Sequence, residues 1–269
     1  MESIHEGICS VGHGGISILN GIPTGYGAAV AVDLQAESCV MERGIEVQQS
    51  DLVNAVMEYF HKSTGKRYGV KINSGIPAGM GLKSSSAVSV ALIESLQKAT
   101  GLSGYPPLLS ALISREVGLS VTGAFDDAVA AYHGGSFLTN NTAMAIEQRI
   151  DFDWETVFVL LLDGKRGIAG PEILRKHSSE FMEAVRLARS GDITGAMNLN
   201  GRLVAEHLGY SMEPIRTADR YGAIASGITG NGPAVFALFR EGQEGPLVDC
   251  FSRRGKTMVV RPIMHDGSD

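Results

Sequence analysis

The chain has 269 residues, 44% of them hydrophobic and 19% charged, with a formal net charge of −6. That suffices for one large or two modest domains around a real core; the acidic balance excludes a general nucleic-acid surface, so an anionic substrate must be met by local cations. The cysteines Cys9, Cys39 and Cys250 form no close pair in sequence, which excludes a Cys-x-x-Cys site and predicts a reducing compartment. The N-terminus lacks signal-peptide order and the apolar run 157–162 is too short to span a bilayer. A soluble, cytoplasmic protein is expected, with neither nucleic acid nor membrane as a partner.

Residues 7–33 are rich in glycine. Ile16 and Ile18 predict a short strand, Ala28 to Asp33 a second, and Cys39 to Val47 another. Asn20, in the glycine-dense turn between the first two, reads by itself as a backbone cap. Asp51 to Lys62 reads as a helix capped by Ser50 or Asp51, with Leu52, Val53, Val56, Met57 and Phe60 as its apolar face. Tyr68, Val70 and Ile72 then alternate with Gly69, Lys71 and Asn73, which predicts a strand.

The stretch that follows carries chemistry: Pro77-Ala-Gly79-Met-Gly81-Leu82-Lys83-Ser84-Ser85-Ser86-Ala87, leading into a helix that ends at Gly101. Val88, Leu92, Leu96 and Ala99 fall on one helical face, and Gly101 is placed as a C-cap. The glycines allow a ligand to approach the backbone. The first helical turn offers unpaired amides with partial positive charge, and serines and Lys83 add donors and a cation. Together these make a phosphate cradle; the plain alternative is a capped helix after a turn. Leu82 between Gly81 and Lys83 excludes a Walker A loop, and Ser84 stands where a dinucleotide fingerprint starting at Gly79 needs its third glycine.

Pro106-Pro107 opens a helix running to about Val117. The next motif is Thr122-Gly-Ala-Phe125-Asp126-Asp127, with Glu116 ten residues before Asp126. Adjacent acids at a helix start can simply meet the helix dipole. The alternative is a carboxylate that orients or deprotonates an acceptor hydroxyl, and successive helical positions, about 100° apart, favour only one of the two facing it. Residues 136–138 and 143–150 look like paired strands around Asn140-Asn141. A boundary near 151–153 divides the chain into lobes 1–152 and 153–269. Residues 156–162 then read as a buried strand, followed by a loop bearing Lys165 and Arg166. Those cations are either solvated or grip an anionic ligand, Arg166 being the better carboxylate clamp. Helices are expected at about 171–176, 178–190, 192–208 and 213–223. Thr229-Gly230-Asn-Gly232-Pro-Ala precedes an apolar strand, and a strand–helix–strand pattern closes the chain.

The pattern Pro77-x-Gly79-x-Gly81-Leu82-x-Ser84-Ser85-x-Ala87 resembles the nucleotide loop of the GHMP kinases, and Thr229-Gly230-x-Gly232-Pro resembles their third motif. With Thr122 to Asp127, the resemblance narrows to the archaeal-type shikimate kinases of that superfamily. It implies an α+β fold in two lobes, the first like ribosomal protein S5 domain 2 and the second ferredoxin-like. It also implies ATP and Mg2+ in the cleft, and transfer of the γ-phosphoryl group to shikimate. By resemblance, Pro77, Gly79, Gly81, Leu82, Lys83, Ser84, Ser85, Ser86, Ala87, Gly230 and Gly232 hold the nucleotide. Ser85 and Glu116 hold the metal, Asp126 faces the acceptor, and Asn20 lies in the substrate site; Arg166 is added to that site on charge grounds alone, as the cation for an anionic acceptor. Homoserine or mevalonate as acceptor, or a silent GHMP-fold sensor, are the alternatives. Phe125-Asp126-Asp127 departs from the Asp-Asn order of homoserine and mevalonate kinases. The first lysine is Lys62, so the N-terminal lysine that some relatives place beside the aspartate is missing, and Asp126 is expected to lack a cationic helper.

Overall fold

The computed structural model describes residues 7–42, 50–162 and 167–265. The Lys165–Arg166 pair and most of the strand expected at 39–47 lie outside them. The first sheet is built on β1 (Ile8–Leu19) and β2 (Tyr26–Met41), which run antiparallel. The length of β2 lets it take two partners: residues 36–41 pair with β3 (Gly69–Ser74) and residues 26–30 with β4 (Ser136–Asn140), which carries β5 (Ala145–Arg149).

Where the sequence suggests two strands, β2 is thus one. The polar residues 33–38 do not break it, because Ala36, Ser38 and Val40 turn inward while Asp33, Gln35 and Glu37 face out. Ser38 is satisfied in place: its hydroxyl donates to Val88 O (3.3 Å) and its carbonyl accepts from Ser95 Oγ (2.8 Å). The register also sets Cys9 opposite Cys39, and the two form a disulfide with Cα atoms 4.0 Å apart. A sequence separation of 30 hid this pair, so the absence of close cysteines is no argument for a reducing compartment.

Four helices complete this lobe: α2 (Asp51–Thr64), α3 (Ser84–Thr100), α4 (Pro106–Glu116) and α5 (Phe125–His133); α1 is a single turn (Gly21–Thr24) between β1 and β2. Ser50 caps α2 by accepting from Val53 N (3.4 Å), and Gly101 ends α3 in the left-handed region at φ 74°. The helix α3 is buried on two sides. Ala87 and Val90 join the core over the sheet, whereas Leu92, Ile93 and Leu96 pack with Val53, Val56 and Phe60 of α2. A helix so enclosed holds the loop at its N-terminus rigidly.

The second sheet contains β6 (Thr156–Leu161), β7 (Ala225–Ile228), β8 (Val235–Arg240) and β9 (Thr257–Val260), all antiparallel in the order β7-β8-β6-β9. A 3-10 helix (Pro171–His177), α6 (Ser178–Ser190), α7 (Ile193–Leu208) and α8 (Glu213–Arg220) connect β6 to β7, and α9 (Gly245–Ser252) connects β8 to β9. This is the ferredoxin-like arrangement. Strand β6 is buried on both faces: Phe158 and Leu160 enter the core shared with the first sheet, and Val157, Val159 and Leu161 face the helices. That explains its unbroken apolar run. Among the described residues, no helix is long and apolar enough to cross a membrane.

Candidate active site

The site forms where the N-termini of α3 and α5 meet the loop between β7 and β8. Lys83 precedes α3 in the left-handed region (φ 66°) and makes no side-chain cap. The first-turn amides of Ser84, Ser85 and Ser86 therefore keep free hydrogens, and the Lys83 side chain turns inward. Its Nζ donates to Ser17 Oγ (2.6 Å) and pairs with Asp127 Oδ1 (2.8 Å), leaving the side chain 7% exposed. Ser17 Oγ also accepts from Gly230 N (3.0 Å). So Lys83 is neither solvated nor confined to the loop it comes from. From just before α3 it supplies a cation beside the acidic pair, which the N-terminal sequence does not.

Helix α5 points its first turn at the same space. Asp126, 4% exposed, accepts from Asn141 Nδ2 (2.7 Å), while Asn141 Oδ1 accepts from Asp126 N (3.1 Å) and Thr139 Oγ1 (2.7 Å). A carboxylate fixed in this way needs room: a Cβ at position 27 would lie 2.4 Å from it, so Gly27 of β2 forms the wall behind it. Burial first, and the neighbouring Asp127 charge second, push the Asp126 carboxyl up to about 7, against the pull of Lys83 and Asn141. Asp126 and Asp127 both line the cavity, rather than one alone, because the helix presents its end to it and not its side.

The third motif closes the site. Thr229 Oγ1 donates to Gly81 O (3.2 Å) and accepts from Ser17 N (3.0 Å), and Ala234 N donates to Met80 O (3.3 Å). The approach is close enough that a Cβ at Gly81 would lie 2.1 Å from Thr229 O, and Gly81 also has φ +78°. Gly81→Ala is therefore expected to lower the urea midpoint, with a loss of about 2 kcal/mol or more, and to raise the KM for ATP. Gly79, by contrast, faces open space, as a wall receiving a ligand does.

Asn20 is the N-cap of α1: its Oδ1 accepts from Ile22 N (2.9 Å). Its Nδ2 donates to Gly230 O (3.2 Å) and Asn231 Oδ1 (2.9 Å), and Asn200 Oδ1 of α7 accepts from its backbone N (2.8 Å). The cap reading holds, and the same side chain ties the lobes together. Tyr210 OH, donating to Asn231 O (2.7 Å), braces the loop from behind.

These elements enclose a cavity of about 510 Å³. Of the residues singled out in the sequence, Asn20, Gly79, Gly81, Lys83, Asp126, Gly230 and Gly232 line it. Leu82 and Ala87 are core residues beneath the loop. Pro77, Ser84, Ser85 and Ser86 do not line the cavity, and Glu116 ends α4 on an exposed turn, also outside the lining. A second cavity of about 400 Å³ adjoins the first, sharing Ile22 and Thr122, and is bordered by Asn141, Arg115 and Arg175. Neither arginine forms an ion pair among the described residues.

The family model of the GHMP kinases N terminal domain matches residues 51–135, and that of the GHMP kinases C terminal domain matches residues 181–257. A protein named shikimate kinase from Pyrococcus furiosus is 35% identical over 250 residues, covering 86% of this chain and 90% of that protein. One of the same name from Archaeoglobus fulgidus is 33% identical, covering 91% and 89%. Among solved structures, Methanococcus jannaschii mevalonate kinase superposes with a TM-score of 0.70 at 13% identity, covering 97% of this chain and 99% of that one. A phosphotransferase related to the CoA biosynthesis pathway reaches 0.73 at 16% identity, covering 96% of each. The structural neighbours establish the fold, and the sequence relatives the branch: the chain belongs to the GHMP kinases and, within them, to the family of the archaeal shikimate kinases.

Proposed function

We propose that the chain transfers the γ-phosphoryl group of ATP to a hydroxyl of shikimate, giving shikimate 3-phosphate, in the cytoplasm, with the lobes divided at 152/153. The observation that carries the chemistry is a buried carboxylate, Asp126, fixed by Asn141 beside the Lys83–Asp127 pair and across a cavity from glycines 79 and 81. A carboxyl at about 7 is matched to taking a proton from an alcohol near neutral pH. Gly79, Gly81 and the free amides at Ser84 to Ser86 hold phosphate oxygens, and Gly230 and Gly232 close over them. Lys83 offsets negative charge that develops between nucleotide and acceptor.

The donors present are oxygens, which suits Mg2+. Ser85 and Glu116 are the proposed holders. A five-residue connection makes α3 and α4 antiparallel neighbours, tied by Ser110 Oγ donating to Ser89 Oγ (2.9 Å), so Ser85 and Glu116 belong to the same end of the pair. When bound, the ion neutralises phosphate charge.

The acceptor's carboxylate needs a cation, and Lys83 is already engaged. Arg166 follows from the sequence, and the described residues after it, 167–171, line the cavity. Arg115 and Arg175 are the cations bordering the space beyond Asn141. Arg175→Gln is expected to raise the KM for shikimate about 10- to 100-fold and leave that for ATP unchanged, as for one lost charge-assisted bond; Arg166→Ala measured alongside identifies which arginine grips. The function itself is tested with a panel of acceptors, by ADP release. Shikimate should turn over while homoserine and mevalonate do not. Phosphorylation of homoserine or mevalonate instead, or thermal stabilisation by shikimate without ADP, would replace this reading with a different kinase or a sensor.

A further inference from the structure

We infer that the second lobe carries a site for a divalent transition-metal ion of the zinc class at His177, Glu180 and His207, outside the phosphoryl-transfer centre. His177 ends the 3-10 helix, Glu180 lies in the first turn of α6, and His207 is one residue from the end of α7. The turn from the 3-10 helix into α6 and the packing of α6 on α7 bring the three together. His177 Nδ1 is 2.8 Å from Glu180 Oε1, and His207 Nε2 is 3.2 Å from Glu180 Oε2, so one carboxylate spans two imidazoles. The rings stack with centroids 3.5 Å apart at 19°. One ligand atom from each residue lies within 4.8 Å of the others.

Two imidazoles and a carboxylate are a ligand set that zinc takes. Imidazole nitrogen favours zinc, copper and nickel over magnesium and calcium, which prefer oxygen. A tetrahedral ion with bonds of about 2.0–2.1 Å needs its ligand atoms roughly 3.4 Å apart. Binding turns the exposed Glu180 and splays the two imidazoles, stacked at 19° without the ion, until both ring planes meet at it, with water as fourth ligand. In the absence of metal both nitrogens that face Glu180 share its charge as hydrogen-bond donors; the ion takes the place of those protons.

The location gives the ion a consequence. Ile168 N (2.8 Å) and Ala169 N (3.4 Å) donate to Leu208 O, next to His207, and Gly167 to Pro171 wall the cavity just before the 3-10 helix begins. An ion that joins the end of α7 to His177 ties the helix that follows this wall to the end of α7 that holds Ile168 and Ala169.

The test is calorimetric titration of the full chain with zinc chloride. Excess Mg2+ occupies the carboxylates of the active site, and a buffer without reductant keeps Cys9–Cys39 oxidised. Wild type is expected to bind one equivalent with a Kd of about 1 μM or tighter. At a hundredfold excess over Kd the Tm should rise by about 5 °C. Glu180→Gln and His207→Gln should each weaken binding at least 100-fold and abolish the Tm rise, with Co2+ giving four-coordinate absorption only in wild type. Glu180 is exposed, so its variant is read even if His207→Gln fails to fold. No binding by wild type, or unchanged binding in Glu180→Gln, overturns the site.

Discussion

Asp126→Asn should lower turnover with shikimate and ATP about 100- to 10,000-fold while ATP still binds. The amide keeps the size of the side chain and can still accept from Asn141 Nδ2, so the site keeps its shape and loses its base. The pH dependence makes the prediction specific. In wild type the carboxyl is held up at about 7, so kcat/KM should fall about tenfold per pH unit below that value. Asp127→Asn should cost less; by removing the second cause of the elevation, it should move this acid limb downward. The same substitution at 126 should stabilise the fold. A carboxyl with a raised folded pKa contributes stability that is complete below its unfolded value near 4 and is lost as pH rises through about 7. Above pH 7 the wild type bears the full cost of the buried charge, on the order of a few kcal/mol. Asp126→Asn should therefore melt higher than wild type at pH 8 and nearly equal to it at pH 4. An activity within threefold of wild type, or a lower melting temperature at pH 8, would remove Asp126 from the proposed role.

Lys83→Met should have the next largest effect. It removes a cation that is almost fully enclosed and that touches Ser17 and Asp127 at 2.6 and 2.8 Å. Breaking such a pair on one side costs about 3–5 kcal/mol, because a buried charge is left alone. Lys83 also pulls the Asp126 carboxyl downward, so its loss moves that carboxyl further above 7. At pH 7 activity should fall about 100-fold or more, and part of it should return at pH 9, where Asp126 ionises again. A lysine that served only to hold phosphate behaves otherwise: its loss raises the KM for ATP and leaves the acid limb in place. The two outcomes are separated by one pH profile measured at saturating ATP.

The parts of this site that are continuous in sequence were legible from it. The loop from Pro77 to Ala87 stands out because glycines, serines and a helix start are adjacent, and its Gly79, Gly81 and Lys83 line the cavity, as do Gly230 and Gly232 of the later turn. What could not be read is what the fold brings from afar. Asn141 sits in a strand turn and looks like a turn residue; only the pairing of β4 with β2 carries it to Asp126. Lys83 looks like a solvated or phosphate-bound cation until the left-handed backbone turns it towards Ser17 and Asp127. Strand β7 escapes notice because Ala225-Ser-Gly-Ile is short and three of its four residues are small or polar, and it exists by pairing with β8. Strand β2 looked like two because its polar middle matches an exposed edge in pattern, while α3 covers alternate residues of it. Cys9 and Cys39 show the same limit, since strand register and not spacing joins them. Arg115 and Arg175, 60 positions apart, share a cavity through the 3-10 helix and the end of α4.

Asp126, Lys83 and the glycine loop are proposed to pass a phosphoryl group from ATP to shikimate. Phosphorus NMR of a reaction containing the protein, Mg2+, ATP and shikimate tests it directly. One phosphate monoester of shikimate should appear in step with ADP, at equal amounts, and both should form at least about 100-fold more slowly with Asp126→Asn. ADP accompanied only by inorganic phosphate, or a monoester formed from homoserine or mevalonate but not from shikimate, would contradict it.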